Sequence, residues 1–91
     1  MRTVHKYELN PHAGYQHIEV RKGAILLKIA EQANKICVWF EVDTNEDWQH
    51  VDFILYETGA QLEAIHERCE YIDTILLLRG TYVLHVYKIN P

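Results

Sequence analysis

Nine consecutive residues, Lys35-Ile-Cys-Val-Trp-Phe-Glu-Val-Asp43, constrain the fold of this chain more than any other stretch. Ile36, Val38, Phe40 and Val42 alternate with Cys37, Trp39 and Glu41, which is the period of a β-strand. β-branched and aromatic residues suit a pleated surface buried on at least one side. The preceding run Ala24–Ala30 is placed to pair with this strand through a connection at Gln32-Ala33-Asn34, a gap of hairpin size. A helix is the rival reading of Ala24–Asn34, because Ala, Leu, Lys, Glu and Gln favour helices. The strand is preferred because its neighbour is so plainly β.

The rest of the chain follows the same rhythm. Thr3–Leu9 reads as a first strand, and Asn10-Pro11-His12-Ala13-Gly14 as a turn in which Pro fixes φ and Gly permits a positive one. Tyr15–Val20 is a second strand with Ile18 and Val20 inward, and Arg21-Lys22-Gly23 is the next turn. Ala24–Gln32 is a third, with Ile25, Leu27 and Ile29 on one face. Lys35–Asp43 is the fourth and Gln49–Glu57 the fifth, its Val51, Phe53 and Leu55 opposed to Asp52, Ile54 and Tyr56. After Thr58-Gly59 the period changes. Leu62, Ile65 and Cys69 fall on one face of a short helix over Ala60–Cys69. Glu63 and Glu67 repel at i, i+4, and an irregular loop is the alternative.

Tyr71–Leu78 and Thr81–Ile89 form a last hairpin about Arg79-Gly80, apolar on both faces. Ile72, Leu76 and Leu78 group with Leu84 and Val86. Ile75 and Leu77 group with Val83 and Tyr87. Seven short strands and one short helix predict a mainly β domain over residues 1–91, a small antiparallel β-sandwich or partly closed barrel.

Charge and cysteines narrow the function. Nine basic and thirteen acidic residues leave a net charge of −4, with no basic run beyond Arg21-Lys22. That argues against a broad nucleic-acid surface, which needs many phosphate contacts. The longest apolar runs, Ile75–Leu78 and Ile36–Phe40, are too short to span a bilayer. No secretory signal is visible near Arg2 and Lys6, so the expected location is the cytoplasm. Cys37 and Cys69 read as reduced, buried thiols, a disulfide being the minority alternative.

No pattern in the chain spells catalysis, and no cofactor is expected. His5, His12, His17, His50, His66 and His85 include no pair at zinc-ligand spacing. His5 and His85 would meet only if the terminal strands paired. Glu57, Glu63, Glu67, Glu70 and Asp73 are dense, but a solvated acidic face explains them. The chain contains no Ser, which excludes a serine nucleophile. Cys37 is set in an apolar strand, where a thiol is inert, and Cys69 shares a face with Leu62 and Ile65 despite its neighbour Arg68. His66 reads as a solvated residue. The aromatics carry more information. Trp48 follows a polar loop, and Tyr7, Tyr15, Tyr56, Tyr82 and Tyr87 run out of register with the core residues. Rings with one wet end suit interfaces and stacking pockets, or line the rim of a thin core.

The landmarks Lys6-Tyr7-x-Leu9, Ile18-x-Val20, Gly23-Ala24-x-Leu26, Ile36-Cys37-x-Trp39-x-x-Val42-Asp43, Thr58-Gly59, Tyr71-Ile72-x-Thr74 and His85-Val86-Tyr87 follow one another in order. In this the chain resembles a family of small β-rich proteins of tailed-phage and prophage genomes. The helical segment before Tyr71 departs from that family, where a looser loop is expected. The resemblance implies a phage context, the host cytoplasm and no known enzyme activity. Small phage proteins of this kind often inhibit host defence, by binding a defence protein or sequestering a nucleotide signal; no site residue transfers with that.

Two functional expectations result. The first is a non-catalytic counter-defence inhibitor or sponge, assembled as a homo-oligomer, that binds a host defence protein or a small anionic, nucleotide-like ligand. Its binding residues would be Trp48, Thr58, Gly59, Arg68 and Arg79. The second is a structural or accessory virion protein. Self-association follows from the two-faced C-terminal hairpin, with Val83, His85 and Tyr87 in the interface.

Overall fold

The computed structural model describes residues 1–91. Its strands are β1 (Arg2–Leu9), β2 (Tyr15–Arg21), β3 (Ile25–Gln32), β4 (Lys35–Asp43), β5 (Trp48–Glu57), β6 (Cys69–Leu77) and β7 (Tyr82–Ile89). They form two sheets, β1-β4-β3 and β2-β5-β7-β6, with every neighbouring pair antiparallel. β4 is the centre of the first sheet, so the stretch with the strongest strand signal has partners on both sides. Its hairpin with β3 closes through Ala33 and Asn34, both at positive φ (52° and 62°), the conformation that matches the twist of paired strands. The sheets stack face to face without joining. The fold is a sandwich and not a partly closed barrel.

The core lies between the sheets. Leu9, Ile29, Ile36, Val38, Phe40 and Val42 come from the first sheet, and Val20, Val51, Phe53, Leu55, Ile75, Leu77, Leu84 and Val86 from the second. Each large side chain contributes about 1.5–3 kcal/mol on full burial. Ile36, Val38, Phe40, Val51, Phe53 and Leu55 are all in it, as their alternation predicts.

Two β-bulges break that alternation. The register of β3 shifts between Leu26 and Lys28. Leu26 and Ile29 therefore face the core, while Ile25 and Leu27 are exposed, against the expected Ile25/Leu27/Ile29 face. β6 shifts between Tyr71 and Asp73. Ile72, the added residue, packs inward, and Ile75 and Leu77 join Leu84 and Val86 after it. The expected grouping of Leu76 and Leu78 with Leu84 and Val86 fails for that reason. An extra residue flips every side chain beyond it.

The expected helix at Ala60–Cys69 does not form. A short 3₁₀ segment spans Ala64–Arg68, and Cys69 already belongs to β6. Topology supplies the reason. β5 and β6 both lie antiparallel to β7, so they run parallel to each other with β7 between them. The connection must cross β7 and return from the level of Leu84, opposite Glu57, to that of Ile89, opposite Cys69. That is about 17 Å along the strands and nearly 10 Å across them. A ten-residue helix rises only about 15 Å, with nothing left for its turns. Extended backbone covers the distance.

Candidate functional site

This crossover, Thr58–Arg68, lies as a strap over the outer face of the four-stranded sheet. Gly59, at φ +90°, turns the chain out of β5. The Glu63 amide donates to the Tyr56 hydroxyl at 3.1 Å. Ile65 packs on a second apolar cluster of Ile54, Tyr56 and Ile89, joined by Cys69 and Tyr87. The Cys69 thiol approaches the Ile65 carbonyl at 3.4 Å. At the far end the Asn90 amide donates to the Arg68 carbonyl (2.8 Å), and the Arg68 guanidinium donates to the Asn90 carbonyl (3.1 Å). Burial pushes the Cys69 thiol above its ordinary pKa, and nearby Arg68 opposes that only in part.

Beneath and beside the strap, polar and aromatic groups converge. His85 lies between two threonine hydroxyls, Thr58 at 2.7 Å from Nε2 and Thr74 at 2.9 Å from Nδ1. A neutral imidazole has one N–H and one acceptor nitrogen, so one threonine donates to the ring and the other accepts from it. Thr74 continues the chain to the Tyr71 hydroxyl at 2.7 Å. Tyr87 meets His66, Tyr71 and Tyr56 edge-on, at centroid distances of 4.6, 5.5 and 5.8 Å. His66 is half-buried here and not solvated, and its Nδ1 has no hydrogen-bond partner.

On the other side of the strap a groove of about 750 Å³ opens. β2 stops pairing at Tyr15, opposite Ile54, while β5 continues to Glu57. The last turn of β5 edge is thus left to the Pro11–Gly14 turn, whose Gly14 carbonyl accepts from the Leu55 amide at 3.1 Å. The groove runs between that turn, Ile54–Glu57 and the strap at Ala60–Ile65. Tyr82 closes one end, with His12 stacked on it at 6.0 Å. Glu57 and Glu63 line it, and no Lys or Arg does. Its size is that of a small-ligand or peptide-anchor site.

The expected ligand residues do not assemble. Thr58 and Gly59 begin the strap beside the groove. Arg68 fastens the strap's far end. Trp48 sits at the opposite end of β5, ten residues and about 33 Å from Thr58, with the Arg21 guanidinium 3.8 Å over its ring. Arg79 lies in the β6–β7 turn near Glu31 and Asn34. His85 and Tyr87 of the expected interface are half-buried beside and under the strap; Val83 lies beyond it, across from Leu76. His5 and His85 are in different sheets, because β1 pairs with β4. The groove residues Tyr56, Tyr82, His12 and Tyr15 carried one usable signal. β5 is apolar on both faces at Phe53–Tyr56, which requires a cover on its outer side.

The sequence matches a domain of unknown function, DUF7352, over residues 1–91, and the chain belongs to that family. No curated protein and no solved structure matches it.

Proposed function

We propose that this DUF7352 member is a non-catalytic binding protein that holds a segment of a partner protein in the groove between the strap and the Pro11–Gly14 turn. The observation that carries the reading is the lining. Tyr15, Tyr56 and Tyr82 supply rings with apolar bodies and polar tips, the composition of protein-recognition pockets. Glu57 and Glu63 make the groove acidic where a phosphate-bearing ligand would need cations. Between a host protein and a nucleotide-like signal, that electrostatics favours the protein, through an apolar or aromatic residue flanked by Lys or Arg. The phage resemblance supports a host defence protein as the partner, inhibited by occupation.

The test is peptide selection against the folded protein, followed by amide chemical-shift mapping. The expected peptides combine aromatic and basic residues, shift Tyr15, Tyr56, Glu57 and Tyr82, and lose at least tenfold in affinity to Ala64→Trp. Shifts confined to Trp48 or to the three-stranded sheet would remove the groove from consideration.

A further inference from the structure

The groove is lined from both faces of the four-stranded sheet at once. Leu84 and Tyr82 reach it from the core side, and Tyr56 and Ile65 from the outer side. Each side has one acid. Glu57 lies opposite Leu84 at the end of β5, and Glu63 lies on the strap. Between the two linings runs the edge of β5. A group lodged on one face would leave that edge untouched. An extended backbone sends successive side chains to opposite faces, so it reaches both linings and the edge between them.

The hydrogen bonds of that edge are half used. The Leu55 amide donates to the Gly14 carbonyl at 3.1 Å. Leu55 therefore directs its amide and carbonyl away from β7, and alternation directs those of Glu57 the same way. The Glu57 carbonyl accepts from the Ala60 amide at 3.0 Å, where the strap begins. The chain turns at Gly14, φ +66°. Its amide makes no return bond to the Leu55 carbonyl, and the Pro11–Gly14 turn gives no carbonyl to the Glu57 amide. One acceptor and one donor, two residues apart, are left facing the groove.

We propose that the partner segment adds to β5 as a short parallel strand, an inference that rests on reading the groove as a protein-binding site. The free groups set the direction. In parallel pairing, one residue opposite Tyr56 donates its amide to the Leu55 carbonyl and accepts from the Glu57 amide. An antiparallel strand would bond the Leu55 carbonyl from the position opposite Leu55, which Gly14 already holds. Pairing with main-chain groups gives affinity, and the alternate side chains give specificity. The residue opposite Tyr56 points to the outer side, against Tyr56 and Ile65, which selects an aromatic or large aliphatic side chain. The residue after it points to the core side. There a Lys or Arg lays its stem along Tyr82 and Leu84 and its charge against Glu57. The occupant is an extended segment of another protein with an apolar residue directly followed by a basic one.

The test uses a peptide selected on the folded full chain, with amide exchange followed by nuclear magnetic resonance. Bound peptide should slow exchange of the Glu57 amide roughly tenfold, and that of the already bonded Leu55 amide less. Methylating the peptide nitrogen of the apolar residue should weaken binding roughly tenfold. Methylating that of the following basic residue should not, because a parallel strand turns that amide away from β5. A spin label on the peptide's C-terminus should broaden Gly59 and Ala60, and one on its N-terminus Gly14 and Tyr15; the reverse would overturn the parallel direction. Shifts in the groove with an unchanged Glu57 amide would overturn strand addition and leave the groove reading standing. Shifts elsewhere would overturn both. A Glu57 amide already protected without peptide, in a particle of two chains, would give the groove to a second copy and overturn the proposal.

Discussion

The two sheets share one core yet treat their outer faces in opposite ways. The face of β1-β4-β3 is laced with charge. Arg2 pairs with Glu41, Lys35 with Glu8, and Lys6 donates to Gln32. Trp39, at the centre of that face, is half-buried between its cross-strand neighbours Lys6 and Lys28. The face of β2-β5-β7-β6 instead buries Ile54, Tyr56 and Ile89 under the strap. Exposed ion pairs contribute little, with a median of about 0–1 kcal/mol. A buried aromatic contributes several times that. One face is finished cheaply and stays flat. The other needs a crossover, and the crossover leaves a groove at its side.

The largest expected effect tests what the sheets share. Phe40 faces inward from the first and Phe53 from the second, and both are buried. Phe40→Ala and Phe53→Ala should each cost about 3–5 kcal/mol in urea unfolding. A loss below about 1 kcal/mol for either would place that ring outside the common core.

The contrast itself is tested one step down, by equal truncations on the two outer faces. Tyr56→Ala removes a ring that is 7% exposed and should cost about 3 kcal/mol. Trp39→Ala removes a larger ring from the charged face and should cost less than Tyr56→Ala, because part of that ring already meets water. Equal costs would mean that the strap adds nothing beyond what Lys6 and Lys28 provide.

A finer cut isolates the strap. Tyr56→Phe keeps the ring and deletes the acceptor of the Glu63 amide, at a cost of about 1 kcal/mol. Cys69 reports on the consequence. Its thiol pKa is raised by burial under the strap, so alkylation at pH 8 should be slow in the wild type and faster in Tyr56→Phe. Rapid labelling of the wild type would mean that the strap does not shelter Cys69.

The period-two alternation made most of this legible. Every strand is visible in the sequence, and the core faces of β4 and β5 follow from Ile36–Val42 and Val51–Leu55 without correction. What the pattern did not carry was a single added residue, at Leu27 and at Ile72, because a bulge has no composition of its own. The inward and outward sets therefore came out reversed on one side of each point, at Ile25 and Leu27 in β3 and at Leu76 and Leu78 after the bulge of β6. The candidate site was harder. Trp48, Thr58, Arg68 and Arg79 are conspicuous by type, yet they stand at different ends of the molecule. The groove is made by where β2 stops and where the crossover must travel, which is information about three separate segments at once. The apolar pair Ile54 and Tyr56, on the face that alternation assigned to solvent, was the one local trace of it.

The smallest expected effect lies on the charged face. The Asp43 carboxyl is held below the usual carboxylate range, first by the Asn45 amide that donates to Oδ1 and then by the Met1 ammonium at 3.2 Å. A carboxylate with a depressed folded pKa stabilises the fold above its unfolded pKa, about 3.9, and loses that contribution as the pH falls through the lower folded value. Asp43→Asn deletes the charge while keeping an oxygen for the Asn45 amide. At pH 7 its unfolding midpoint should fall only slightly below that of the wild type. The difference should narrow as the pH drops below about 4, where the wild-type carboxyl also becomes neutral. If it persisted unchanged to pH 2, Asp43 would act through shape and hydrogen bonding and not through charge. If it were as large as the loss from Tyr56→Ala, the distinction between a charge-finished face and a packed one would fail.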